Sequence, residues 1–290
     1  MAIAIERIHP DFGARVTGVD LAAPIDAATF GAIFDAFNEY SVLVFPGQAL
    51  TDAQQIAFSQ RFGPLEQTIT SIANNPNVPR EIAFLANIDP DGNLIDPNDK
   101  RMIYHSANQM WHTDSSFKRV PALASMLSGR EVPPEGGQTE FASMRVTWER
   151  LPPDMRRFLE GKIAVHSFAY SRGLVSKGLL RPEDEAQVPP VEQVLVRTNP
   201  VNGRKSVYVA SHASHIVGMP VDEGRAIIRS LIDLTTEPAR VYSHQWAVGD
   251  LVMWDNRQTM HRARPFPAHE PRDMRRTTLI GDGPTVAQAA

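Results

Sequence analysis

The chain begins with residues that alternate in the manner of a strand, "AIAIERI" and then "ARVTGVDL". From about Asp26 to Asn38 the period lengthens, and Ile33, Phe34 and Phe37 form the apolar stripe of a helix. "SVLVF" at 41–45 reads as a short buried strand closed by "PGQ". "LTDAQQIAFSQRFG" reads as a second helix, with Thr51 or Asp52 as its N-cap and Gly63 as its stop. Residues 67–108 are rich in Asn, Asp and Pro with little periodicity, which predicts a lid or binding loop. A second active-site lid loop is expected at about 168–190. Beyond residue 112 the pattern turns to short strands between turns: "ALASMLSGREV", "QTEFAS", "KIAVHSFAY", "QVLVRTN", "KSVYVAS", "ARVYSHQWAVGDLVMWDN" and "RRTTLIGD". Two helical inserts interrupt them, "MRVTWERLPPDMRRFLEG" and "PVDEGRAIIRSLIDLTTE". Many short strands with Gly/Pro turns predict a mainly β protein with flanking helices, a sandwich or barrel rather than a doubly wound sheet. No repeat, low-complexity run or linker divides residues 1–290, so a single domain is expected.

Composition narrows the chemistry. The 42% hydrophobic and 21% charged residues are ordinary for a globular chain, and a net charge of −4 argues against a nucleic-acid partner. With no cysteine, disulfides, thiolate metal sites and a Cys nucleophile are excluded, so any metal must be held by His and carboxylate. "MAIAIERIHPDFG" lacks the long apolar core of a signal peptide, and no stretch approaches the roughly 18 apolar residues of a membrane span. The expected location is the cytoplasm, with no membrane partner.

"WHTDSSF" at 111–117 carries a histidine and an aspartate two positions apart. In extended backbone, residues i and i+2 project from one face, so His112 and Asp114 can bind one ion together. Taken alone the pair also fits a loop histidine with Asp114 capping a turn. In "GDLVMWDNRQTMHRARPF", Gly249-Asp250 reads as a turn, "LVMW" as a buried strand, and His261 follows a short loop. Two histidines and one carboxylate on one face of a metal form the facial triad of non-haem Fe(II) oxygenases. His112 and His261 are 149 residues apart, a separation that a jelly roll can close. His212 and His215 in "SHASHIVG" have no carboxylate beside them and read better as polar groups lining a pocket. His166 and His244 read as satisfied core or surface histidines, whereas His9, His105 and His269 lie in polar loops.

Beyond His261, "RARPFPAHEP" leads into "RDMRRTTLIGD". On a strand Arg272 and Arg276 share a face roughly 13 Å apart at about 3.3 Å per residue, too far for one carboxylate. Near iron they would hold two anions, a co-substrate and a substrate. The alternative is a basic surface cluster. Arg275 points the other way and reads as surface.

"WHTDSSF", "PPEGGQTEFASM", "GDLVMWDNRQTMHR" and "RRTTLIGD" resemble the Fe(II)- and 2-oxoglutarate-dependent dioxygenases of the taurine dioxygenase family, most closely the 2,4-dichlorophenoxyacetate (aryloxyalkanoate) branch. The likeness runs from "SVLVFPGQ" to "LIGD". It implies a double-stranded β-helix (jelly roll) with His112, Asp114 and His261 as iron ligands. It implies Thr139 and Arg272 on the far carboxylate of 2-oxoglutarate, and Arg276 on the anionic group of the substrate. By the same likeness Asn108 lies near the substrate, His215 contacts its carboxylate, and His212 is its neighbour. The expected reaction couples oxidation of 2-oxoglutarate by O2, to succinate and CO2, with hydroxylation of a small organic anion. With an aryloxyalkanoate the product collapses to a phenol and glyoxylate. A taurine-like sulfonate or a sulfate ester is the alternative substrate, with a non-catalytic binding protein or a metal hydrolase as remoter readings. Relatives of this kind form homo-oligomers. One position departs from the branch: in "VRTNPVNGRK" this chain has Asn199 where the phenoxyacetate enzyme has a histidine, which points away from strict aryloxyacetate preference.

Overall fold

The strands, in chain order, are β1 (Ala4–Arg7), β2 (Ala14–Thr17), β3 (Val42–Phe45), β4 (Ile82–Ala86), β5 (Ala124–Glu131), β6 (Thr139–Ser143), β7 (Ile163–His166), β8 (Val191–Val194), β9 (Val196–Thr198), β10 (Lys205–Val207), β11 (Ala213–Ile216), β12 (Val241–His244), β13 (Leu251–Asp255), β14 (Thr259–Ala263) and β15 (Asp273–Thr278). The helices are α1 (Ala27–Tyr40), α2 (Asp52–Gln60), α3 (Lys100–Ser106), α4 (Met144–Arg150), α5 (Pro153–Leu159), α6 (Phe168–Val175), α7 (Pro182–Gln187) and α8 (Val221–Thr235). The computed structural model describes residues 3–67, 78–176, 178–180 and 182–287.

A seven-stranded sheet in the order β1-β2-β3-β13-β5-β15-β4 carries the core. Its strands alternate between two buried faces, as the period of two requires. On β3, Leu43 and Phe45 pack with Ile33 and Phe37 of α1 and Phe58 of α2, whereas Val42 and Val44 pack with Trp254, Met274 and Phe141 on the other side. That is why "SVLVF" reads as a continuous apolar run. Phe141 belongs to the facing sheet, β12-β6-β14. A third cluster joins α4 and α8 to the smaller sheets through Trp148, Leu231 and Ile216. Two sheets packed face to face with helices outside form the expected jelly roll. No helix among the described residues is long and apolar enough to cross a membrane.

Thr51 caps α2 as expected, forming a capping box with Gln54, and α1 is capped by Asp26, which accepts from Thr29 N at 2.8 Å. Four expectations need correction. The segment 67–108 is not one long loop: β4 pairs with β15, and α3 is capped by Asp99, whose carboxylate accepts from Arg101 N at 2.9 Å. Short elements flanked by Asn, Asp and Pro give no sustained period. Residues 68–77 of that call lie outside the described residues. The segment 168–190 holds α6, capped by Ser167 on Tyr170 N at 3.1 Å, and α7. Residues 177 and 181 lie outside the described set. "KIAVHSFAY" is therefore a strand only to His166, and the insert read as one helix breaks into α4 and α5 at Leu151-Pro152, where the prolines force extended backbone.

Candidate metal centre and its two cavities

Asp255, at the end of β13, is fully buried and organises the turn into β14. Its carboxylate accepts from Arg257 N at 2.8 Å and from Gln258 Nε2 at 2.9 Å, and pairs with the Arg257 guanidinium at 2.9 Å. This turn delivers His261, whose N–H donates to the His112 carbonyl at 2.8 Å and whose carbonyl accepts from His112 N at 2.9 Å. The bridge closes the 149-residue gap between the two histidines. His112, Asp114 and His261 then present ligand atoms within 4.8 Å of one another, all three residues buried.

Each side chain is held. His112 Nδ1 is tied to the Met110 carbonyl at 2.8 Å, which leaves Nε2 to face Asp114, 3.9 Å from Oδ1. His261 Nε2 lies 3.7 Å from Asp114 Oδ2. Ser125 Oγ donates to Asp114 Oδ2 at 2.7 Å, and Asn256 Nδ2 donates to Ser125 Oγ at 2.9 Å. The Asn256 side-chain oxygen Oδ1 accepts from Asp114 N at 3.0 Å and from Trp254 Nε1 at 3.1 Å. Asn256 thus grips Asp114 through both backbone and carboxylate. Burial opposes ionisation of Asp114, but Arg276, His261, His112 and the Ser125 hydroxyl hold its carboxyl far below the usual range. Burial also pulls both histidines below the ordinary imidazole value, against the opposing charge of Asp114, so they are neutral and ready to donate lone pairs. Two neutral imidazoles and one carboxylate, converging in a buried spot with no thiolate, suit iron(II).

The triad stands between two cavities, and His112 and Asn108 line both. The smaller, about 120 Å³, holds Thr139 and Arg272 with His261. Thr139 Oγ1 accepts from Trp246 Nε1 at 3.1 Å, and Arg272 is 8% exposed with Phe266 5.4 Å from its guanidinium carbon. Burial lowers the Arg272 pKa to about 10. "PPEGG" makes the wall possible: Gly136 has φ +75, and a Cβ there would sit 2.6 Å from the Pro265 carbonyl oxygen. The larger cavity, about 150 Å³, is lined by Tyr104, Phe117, Phe168, His212, Arg172 and Arg276, among others. Phe117 stands 4.4 Å from Phe168 and 4.9 Å from His212 between ring centroids, forming an aromatic wall.

The structure departs from the sequence reading at several positions. His215 lines neither cavity: a register shift between Ala213 and His215 on β11 re-aims it, and its Nδ1 sits 3.0 Å from Ser214 Oγ. His212 takes the place by the cavity, its Nδ1 2.8 Å from Ser171 Oγ. Arg276 reaches Asp114 Oδ1 at 2.5 Å rather than standing free for an anion. Arg275 is not a surface residue but pairs with Asp273 at 2.7 Å and Asp52 at 3.3 Å. His166 is fully buried with no partner on either ring nitrogen, so it is not a satisfied core histidine. His105 sits on α3 beside both cavities rather than in a loop. Asn199 is buried against Asn38 at 3.4 Å and accepts from Val201 N at 2.9 Å, shaping a turn away from both cavities. Arg172, Tyr104, Phe117, Phe168, Ser125 and Asn256 escaped the sequence reading.

Residues 4–278 match the model of the family described as taurine catabolism dioxygenase TauD, TfdA family. The chain belongs to this family. Among TauD/TfdA relatives, the alpha-ketoglutarate-dependent 2,4-dichlorophenoxyacetate dioxygenase of Cupriavidus pinatubonensis is 40% identical over 284 residues, covering 97% of this chain and 99% of that one. The (S)-phenoxypropionate/alpha-ketoglutarate-dioxygenase of Sphingobium herbicidovorans is 37% identical over 97% of this chain and 96% of its own. The crystal structure of AAD-2 in complex with Mn(II) and N-oxalylglycine superposes with a TM-score of 0.91 at 41% identity, covering 99% of this TauD/TfdA chain and all of that one (100%).

Proposed function

We propose that the protein is an Fe(II)- and 2-oxoglutarate-dependent dioxygenase that hydroxylates an aryloxyalkanoate at the carbon beside the ether oxygen. An aryloxyacetate would give a phenol and glyoxylate and a 2-aryloxypropionate a phenol and pyruvate, with succinate and CO2 from the co-substrate. The observation that carries this reading is the triad standing between two cavities of different character, one with a buried arginine and a threonine hydroxyl, the other with an aromatic wall. Relatives named for 2,4-dichlorophenoxyacetate and phenoxypropionate support the substrate class.

His112, Asp114 and His261 would hold the iron, which when bound activates dioxygen at the expense of 2-oxoglutarate. Arg272 and Thr139 would take the far carboxylate of 2-oxoglutarate, since a buried guanidinium without a carboxylate of its own is a site for one. Tyr104, Phe117 and Phe168 would pack the aryl ring and fix which C–H bond faces the metal. Asn108, at the junction, would contact both bound molecules. His212, neutral because burial, Arg172 and His112 push its pKa well down, would line the substrate side without adding charge. His215 has no such role, because it faces away. The cytoplasm, which supplies 2-oxoglutarate and reduced iron, is the compartment that fits this chemistry.

Anaerobic Fe(II) and 2-oxoglutarate should give the weak visible charge-transfer band of the chelate, followed in air by succinate release that depends on a phenoxyacetate or phenoxypropionate. Succinate driven by taurine or an alkyl sulfate instead would move the substrate class to sulfonates or sulfate esters. No band with iron bound would overturn the 2-oxoglutarate assignment.

A further inference from the structure

Among the described residues five arginines are buried: Arg145, Arg172, Arg197, Arg257 and Arg272. A buried guanidinium without a counter-charge is costly, so a fold that keeps one normally pairs it. Arg145 meets Glu149 at 3.1 Å, Arg257 meets Asp255 at 2.9 Å, and Arg197 lies 4.0 Å from Asp282. Among the described residues, Arg172 and Arg272 have no carboxylate. Arg272 lines the smaller cavity, where the proposed co-substrate brings one. Arg172 lines the larger cavity, where nothing has yet been assigned to it.

The setting of Arg172 is that of a held, waiting charge. It lies on α6 one turn after Phe168, and its guanidinium carbon sits 4.6 Å from the Phe168 ring centroid and 4.7 Å from that of Tyr104. The two rings fix the plane of the guanidinium without neutralising it. Its Nε is buried and has no hydrogen-bond partner. Arg276, the other arginine of that cavity, already has an anion in Asp114 at 2.5 Å. Lys118, the third cation of the cavity, is answered by Glu66 at 2.5 Å. Among the described cations lining the cavity, Arg172 is therefore the one with no carboxylate partner.

We propose that Arg172 is a substrate-binding residue that holds the carboxylate of the primary substrate, and that it selects anionic over neutral aryl ethers. The inference rests on the dioxygenase reading above. Bound on Arg172 and stacked by Phe117, an aryloxyalkanoate would present its ether-bearing carbon to the metal side of the cavity. Burial, and to a lesser degree the nearby Arg276, pull the Arg172 pKa down from its ordinary value, with the Tyr104 hydroxyl opposing them only in part; an incoming anion would act in the same sense as Tyr104.

The test compares wild-type enzyme with Arg172→Met and Arg172→Lys, using phenoxyacetate and its neutral analogue phenoxyethanol, with taurine and an alkyl sulfate as further anions. Binding to the Fe(II)- and 2-oxoglutarate-loaded enzyme without oxygen is read by calorimetry, and KM and kcat are read in air. Arg172→Met should weaken phenoxyacetate about 10- to 100-fold, in KM more than kcat, with phenoxyethanol and the 2-oxoglutarate KM little changed; Arg172→Lys should recover part of the loss. If wild type takes taurine or the sulfate instead, the same loss is expected for that anion. Equal weakening of anion and neutral analogue would mean a purely structural stack and overturn the proposal, as would unchanged anion affinity or no affinity of wild type for any of the three anions. The dioxygenase reading fails separately, if wild type shows neither the chelate band nor succinate.

Discussion

His112 and His261 exchange two main-chain hydrogen bonds, of 2.9 and 2.8 Å, while their rings stand 4.2 Å apart between centroids. The bonds belong to the backbone and the metal ligands to the side chains, so the two can be separated by mutation. His112→Ala should keep the bridge and the fold, leaving the far-ultraviolet circular dichroism unchanged. It should lower iron affinity by more than about 100-fold and abolish succinate release, because losing a ligand exceeds the usual effect of losing its support. Normal turnover with iron still bound would sink the triad assignment.

Asn256 is the support whose loss should be felt most. Asn256→Ala removes the acceptor for Asp114 N and Trp254 Nε1 and the donor to Ser125 Oγ, all in buried surroundings. The orphaned groups should cost about 3 kcal/mol of stability, and iron affinity should fall about 10- to 100-fold. Urea denaturation of the metal-free protein and an iron titration measure the two effects independently. A variant that loses stability but binds iron as wild type does would reduce Asn256 to a core residue.

The iron ligands were legible because their chemistry is local: His112-x-Asp114 needs only extended backbone, and a short buried strand announces His261. The strand pattern gave the mainly β fold for the same reason. What the sequence hid depends on long-range geometry. His215 looked better placed than His212 until a bulge on β11 turned it away. Asn256 sat inside a quoted motif without being singled out, because its role lies in reaching back 142 residues to Asp114. Arg172 fell in a stretch read as loop. Phe168 and Arg172, four apart, carry the helical spacing that could have flagged α6, but eight residues are too few for a stripe to stand out.

Arg272 should trade stability for binding. Burial sets its pKa at about 10 in the fold, well below the ordinary guanidinium value, so the charged form is disfavoured. For a base the sign is clear: the unfolded chain holds the proton more tightly, the penalty is fully present below about pH 10, and it is relieved as pH rises above that towards the ordinary guanidinium value. Arg272→Met should therefore stabilise the metal-free, co-substrate-free protein by up to about 3 kcal/mol. The same change should raise the 2-oxoglutarate KM by about 100-fold, since the buried partner for its carboxylate is gone. Denaturation midpoints and initial rates against 2-oxoglutarate decide it, and a destabilised variant with unaltered KM would contradict both halves.

His166 offers the corresponding prediction in acid. The ring is fully buried, stacked 5.6 Å from Tyr208, and burial lowers its pKa to about 3. The folded chain keeps this histidine neutral while the unfolded chain protonates it near 6.5, so stability present at neutral pH is lost as pH falls from 6.5 towards 3. At pH 4.5 that loss is about 3 kcal/mol from this one side chain. His166→Phe cannot take the proton, preserves the stack on Tyr208, and removes two ring nitrogens that have no partner. Its denaturation midpoint should equal or exceed that of wild type at pH 7 and exceed it by more at pH 4.5. If the two proteins lose stability in parallel between those pH values, His166 is not the group that titrates on unfolding.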